Sequence, residues 1–228
     1  MNITWFGHSA FALEADGVTV LIDPFLSGNP ANVVDAAGVA ADTILLTHAH
    51  GDHVGDTVAI AKRTGATVVA TAELAGWLVK QGVAKAEAGN HGGTIQFKGG
   101  SSKFVPAWHT SSYGTPDGDV APGVPAGLVV RFGGKTIYFA GDTALFLDMQ
   151  LIADEDLDVA VIPIGDRFTM GPKDALKAVH MLRAGTVIPC HYNTFPGIAQ
   201  DVAAFKVAVE AETASKVLVL TSGESTGI

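Results

Sequence analysis

A single cysteine stands among 228 residues, so no disulfide can form within the chain, and such sparing use suits a reducing cytosol. Positive charge is also scarce. Fourteen Lys and Arg (14) against 23 Asp and Glu give a net charge of −9 and a pI near 5.2, which argues against a nucleic-acid-binding surface. No apolar run reaches the roughly 18 residues of a membrane-spanning helix. No basic segment followed by an apolar stretch marks a secretory leader either, so the chain is expected in the cytoplasm and off the membrane. Low-complexity tracts and linkers are missing, and residues 1–228 read as one domain. What the chain has in quantity is apolar side chains: 48% of residues, with a mean hydropathy of +0.32, enough to bury a large core.

Against this background Thr47-His48-Ala49-His50-Gly51-Asp52-His53 stands out, since three of the eight histidines fall within residues 48–53. The aliphatic run Ile44-Leu45-Leu46 before it reads as a buried strand, and Val54–Thr64 after it as a helix. The cluster therefore lies on a strand-to-helix turn, where open α/β sheets place their ligands. In extended backbone, residues two apart point the same way, so His48 and His50 can grip one metal ion together. Gly51 permits a sharp turn that sends Asp52 and His53 towards a second position. Imidazoles with a carboxylate suit Zn foremost, and also Mn, Fe or Ni.

Elsewhere the chain alternates short strands and helices. Residues 2–6, 9–14 and 18–22 read as strands, with a hairpin at Asp16-Gly17 and a stop at Asp23-Pro24. Further strands are read at 67–70, 83–88, 94–98, 102–106, 127–132, 135–140, 159–163, 186–190 and 216–220. Helices are read at 72–81, 145–153, 172–183 and 198–213. Residues 24–42 have the composition of a rim loop, and a long Gly/Pro-rich loop runs from Trp108 to Pro125. Lone histidines are most often structural or solvent-facing, which is the reading for His8 in Gly7-His8-Ser9, for His91 and for His180. Cys190 and His191 alternate along one strand, so only one of them can join a site; Cys190 reads as a buried hydrophobe.

The pattern His-x-His-x-Asp-His resembles that of the metallo-β-lactamase-fold hydrolases, and the resemblance extends over nearly the whole chain. It implies an α/β fold, a four-layer αββα sandwich with a binuclear site at one edge between two sheets. It also implies a ligand set, matched position by position. His48, His50 and His109 would hold one divalent ion; Asp52, His53 and His191 would hold the other; Asp142 would bridge them. Asp23 matches a supporting carboxylate behind the histidine loop, and the Gly-His-Ser start, shared with the small hydrolases of the family, would bring His8 to the site's rim. The nearest branch is small and mostly uncharacterised, close to the bacterial lactonase of ascorbate 6-phosphate.

The chemistry implied is hydrolysis by a metal-activated hydroxide, with Asp52 orienting the nucleophile and taking its proton. A small polar ester, lactone or phosphodiester is the expected substrate. An anionic group would find Arg167 and the helix start at Pro172. A nuclease acting on nucleic acid and a non-hydrolytic metal-binding protein are the rival classes, and a homo-oligomer is compatible with all three.

Overall fold

A computed structural model describes residues 1–228. Sixteen strands and six helices follow one another in mixed order. The first half supplies β1 (Asn2–Trp5), β2 (Phe11–Ala15), β3 (Val18–Ile22), β4 (Thr43–Leu45), β5 (Thr67–Thr71) and β6 (Ala86–Gly89). Its helices are α1 (Gly51–Val54), α2 (Thr57–Thr64) and α3 (Ala72–Lys80). The second half supplies β7 (Thr94–Phe97), β8 (Gly100–Pro106), β9 (Tyr113–Thr115), β10 (Gly118–Val120), β11 (Ala126–Phe132), β12 (Lys135–Phe139), β13 (Val159–Pro163), β14 (Thr186–Cys190), β15 (Lys216–Val217) and β16 (Ser225–Gly227). Its helices are α4 (Met149–Ile152), α5 (Pro172–Leu182) and α6 (Val202–Glu212).

Two seven-stranded sheets result, ordered β16-β1-β2-β3-β4-β5-β6 and β15-β14-β13-β12-β11-β8-β7. Strand alternation decides what each sheet face meets. Val20, Ile22, Leu45 and Val69 join the larger apolar cluster with the second sheet, whereas Leu21, Ile44, Leu46, Val68 and Ala70 join a separate cluster with residues of α2 and α3. The first set lies between the sheets and the second lies under the outer helices, giving helix, sheet, sheet, helix. Phe11 and Phe139 meet across the inter-sheet core with ring centroids 5.6 Å apart. β13 is buried along its whole length, as expected of a parallel strand covered on both faces. No helix is long and apolar enough to cross a membrane.

Several elements differ from the sequence reading, each for a local reason. The helix read over 54–64 is two short ones broken at Gly55, whose φ of +41° lets it lie against the backbone of Pro24 and Phe25, where a Cβ would collide. Asp56 then accepts from the N–H groups of Leu26 and Ser27, clamping the rim loop to this break. The helix read over 145–153 is confined to α4 and a 3-10 turn at Ala153–Glu155. That over 198–213 starts at α6, whose N-cap Asp201 accepts from Ala204 N–H. The loop after Trp108 folds partly into the hairpin β9–β10. The strand read over 216–220 shrinks to β15, and β16, which the sequence reading placed in no strand, returns to pair with β1.

Candidate metal centre

The residues singled out in the sequence emerge from the C-terminal ends of strands in both sheets. Asp23 follows β3, residues 47–53 follow β4, His109 follows β8, Asp142 follows β12 and His191 follows β14. The structure brings all seven expected ligand residues together in two adjoining groups of donor atoms. One is His48, His50, His109 and Asp142; the other is Asp52, His53, His191 and, in addition, His8. Asp142 contacts both. Its Oδ2 lies 3.5 Å from His109 Nε2 and 3.1 Å from His191 Nε2, and its Oδ1 lies 3.3 Å from His53 Nε2. Gly141 makes this approach feasible: at φ +61° it passes Thr47 so closely that a Cβ would sit 2.8 Å from the Thr47 Cβ. α4 begins only at Met149, so Asp142 is not that helix's N-cap.

Asp23 sets the proton pattern of the histidine loop. Its carboxylate accepts from the Thr47 N–H at 2.9 Å, from the Thr47 hydroxyl at 2.6 Å and from His53 Nδ1–H at 2.7 Å. In the neutral ring this leaves Nε2, on the Asp142 side, as the bare nitrogen, the form in which imidazole ligates a metal. The Thr47 hydroxyl proton being committed to Asp23, its oxygen accepts from His48 Nδ1–H at 3.0 Å. His48 Nε2 is then also bare, 2.9 Å from His50 Nδ1. One buried carboxylate thus fixes two imidazoles.

Electrostatics follow from burial and proximity. Burial pushes His48 well below the ordinary histidine range and lowers His50 and His109 as well, with neighbouring imidazoles adding to it. Burial acts on His53 in the same direction, but Asp142 and Asp23 override it and raise its pKa strongly. For Asp142 burial opposes the charged form, yet His53 and His191 hold the carboxyl well below its usual range. Asp52 is likewise lowered against its burial, chiefly by a hydrogen bond from His8. Burial pushes His8 down to about 4, so its ring is neutral near pH 7.

The residues fit divalent ions. His53 Nε2 and Asp142 Oδ1 are buried without a hydrogen-bond partner, although they stand 3.3 Å from each other. Two unpartnered buried atoms of ligand type, facing each other within a cluster of donors drawn from five loops, are what a metal would satisfy.

The remaining expectations divide. His8 belongs to the cluster and is fully buried, so it is not solvent-facing and lies deeper than the rim; the Gly7-His8-Ser9 turn was the available signal. His91 and His180 are exposed, as read. His91 Nε2 lies 2.9 Å from the Pro125 carbonyl, at the end of the long loop. Cys190 is buried, its thiol pushed up by burial and by Asp142, and it lies in neither donor group. Arg167 is exposed, its guanidinium 5.4 Å from the Phe168 ring centroid, and no contact ties it to the cluster. In the loop after His109, Ser111 Oγ accepts from Ala49 N–H at 3.1 Å, holding the two ligand loops together.

Known proteins share this arrangement of chain. A family model described as the beta-lactamase superfamily domain matches residues 2–191. A UPF0173 metal-dependent hydrolase of Thermus thermophilus is 54% identical over 205 residues, 90% of this chain and 89% of the relative. Among solved structures, a metallo hydrolase of the archaeon Ignicoccus hospitalis superposes with a TM-score of 0.88 at 38% identity, covering 99% of this chain and 97% of the other. A metallo-β-lactamase fold protein of Bacillus subtilis matches with a TM-score of 0.75 at 15% identity over 99% and 98% of the two chains, a likeness of fold alone. With its two-sheet architecture and its metal-ready cluster of histidines and aspartates, the chain belongs to the β-lactamase superfamily and is one of its metal-dependent hydrolases.

Proposed function

We propose that the protein hydrolyses a small polar ester, lactone or phosphodiester at a binuclear metal centre. The observation that carries this reading is the position of Asp142, with one carboxylate within 3.5 Å of imidazoles from both donor groups. Two adjacent cations repel, and a shared anionic donor offsets that repulsion. His48, His50 and His109 would hold one ion and Asp52, His53 and His191 the other, with zinc the best match to this nitrogen-rich set. When bound, such a pair acidifies water and polarises the substrate oxygen.

The chain's own residues supply the rest. Asp52 is the half-exposed member of the cluster, with 35% of its side chain accessible, and its lowered pKa keeps it ionised. As an open carboxylate it is placed to orient the attacking oxygen by accepting its hydrogen bond, and in the proposed reaction it is the group that takes up the proton. His50 and His109 are the other partly open donors, so substrate would approach over Asp52, His50 and His109 rather than through the buried His48, His53 and His191. The net charge of −9 favours a small molecule over nucleic acid, with any anionic group met at the metal centre itself.

Metal content by elemental analysis, combined with a screen of lactones, thioesters, carboxylic esters and phosphodiesters, tests this. Two ions per chain and metal-dependent turnover of one class are expected. One ion or none at saturating metal would overturn the binuclear centre, and turnover confined to polynucleotides would move the protein to the nuclease class.

A further inference from the structure

His8 is held in place more firmly than a spectator needs to be. It is a non-glycine residue at φ +54°, a conformation that costs energy unless its surroundings enforce it. Its carbonyl accepts two hydrogen bonds, from Trp5 Nε1–H at 3.0 Å and from the His191 backbone N–H at 3.0 Å. Its ring is fully buried, 4.0 Å from the His191 ring centroid, with Phe25 and Phe195 edge-on at 5.9 and 5.7 Å. Both ring nitrogens are engaged: Nε2 lies 3.1 Å from Asp52 Oδ2 and Nδ1 lies 3.0 Å from Thr194 Oγ1.

Proton counting fixes the direction of these bonds. A carboxylate only accepts, so Nε2 carries the hydrogen. The bare Nδ1 of a neutral ring then accepts from the Thr194 hydroxyl, whose other acceptor, the Tyr192 carbonyl, is farther away at 3.5 Å. The order is Thr194 O–H to His8 Nδ1, then His8 Nε2–H to Asp52. His8 is also surplus to metal binding. In the proposed centre each ion would already have three donors of its own plus the shared Asp142, a complete set of four for zinc. The relation mirrors that of Asp23 to His53, where a buried carboxylate orients a ligating imidazole at 2.7 Å.

We propose that His8 is a positioning residue for Asp52: it donates Nε2–H to Oδ2, fixing the carboxylate so that its other oxygen serves the second metal position, while Thr194 sets the His8 tautomer. The inference rests on the binuclear reading above. It links the start of the chain to the loop after β14 through the one carboxylate assigned a catalytic role.

The test titrates metal-free wild type, His8→Ala, His8→Gln and Thr194→Val with Co²⁺ and reads the two binding steps separately. For His8→Ala the first step is expected to hold and the second to weaken about 10–100-fold, the range for losing such an orienting partner. His8→Gln, whose amide N–H can replace Nε2–H, should recover most of the loss, and Thr194→Val should show a smaller loss in the same step. Two unchanged steps in His8→Ala would overturn the proposal. So would a His8→Gln as impaired as His8→Ala, or X-ray absorption showing one imidazole fewer around the metal in His8→Ala, which would make His8 a ligand. If His8→Ala does not fold, Thr194→Val decides alone, and unchanged steps in it refute the relay. Wild type that takes up fewer than two ions would instead bring down the binuclear reading and this inference with it.

Discussion

The two sheets follow one plan but deliver their chemistry in different ways. Each has three antiparallel pairings on one side and three parallel pairings on the other. The first sheet presents four residues of the two donor groups on one stretch, residues 48–53 after β4. The second presents His109, Asp142 and His191 on three separate loops. Asp23 and Asp142 occupy equivalent places, each just beyond the first strand of the parallel run, and they flank the same imidazole: Asp23 meets His53 Nδ1 at 2.7 Å and Asp142 approaches Nε2 at 3.3 Å. Equivalent strand ends thus have unequal duties. One holds an imidazole from behind, and the other contacts both donor groups from the front.

That contrast can be broken most severely at Asp142. Asp142→Ala removes the donor common to both groups, so both ions and all turnover should go, whereas His50→Ala should strip the first position foremost and still abolish activity. Elemental analysis of the two variants side by side checks the order; equal retention of metal would dissolve the distinction. Next comes Asp52→Asn, which keeps the shape and removes the charge. Turnover should drop by about 10²–10⁴, the scale for a lost general base. Kinetics near the wild-type rate would remove Asp52 from the chemistry.

A smaller effect is expected from Asp23→Asn, the counterpart of Asp142 that touches no substrate. It disturbs the tautomers of His53 and His48 together, and metal affinity should fall by roughly 10–100-fold with two ions still bound at saturation. Competition with a chelator measures it, and an affinity loss as complete as that of Asp142→Ala would erase the contrast. The mildest change lies outside the site, where Glu155 takes Lys103 and Arg131 from the antiparallel side of the second sheet. Hydrogen bonds from Arg131 and Lys103 lower its pKa. Its contribution is therefore full above the unfolded-state value and fades as pH falls through the lower folded one. Because the partners are partly exposed, Glu155→Gln should cost no more than about 1 kcal/mol. Denaturant melts at neutral and acidic pH should converge at the acidic end.

The difference between the halves also explains what could be read from the chain. The loop at residues 48–53 is a local pattern, three imidazoles and a carboxylate at fixed spacing, and it declares a metal site by itself. His109, Asp142 and His191 are each ambiguous alone, and only a resemblance ordered them into one centre. His8 escaped assignment because its importance comes from contacts with Asp52 and Thr194, residues 44 and 186 positions away, which no window of sequence contains. Most strands were legible from aliphatic runs such as 159–163. Short elements were not: α1 and α2 share one apolar periodicity, and only the packing of Gly55 on the Pro24-Phe25 backbone divides them. β16 reads Ser-Thr-Gly, with no apolar signal, because a sheet edge pairs through backbone.

That edge strand has a consequence for the order in which the molecule can form. β1 pairs with β2 on one side and with β16 on the other, through Asn2 to Gly227, Ile3 to Thr226 and Thr4 to Ser225. During synthesis the second partner emerges about two hundred residues after the first, at a pace of roughly 5–20 residues per second. For many seconds the nascent first sheet therefore carries an unpaired edge beside the very turn that bears His8. His191, whose backbone N–H caps that turn, also arrives late. The cluster of histidines and aspartates thus cannot be complete until the ribosome has delivered the loop after β14.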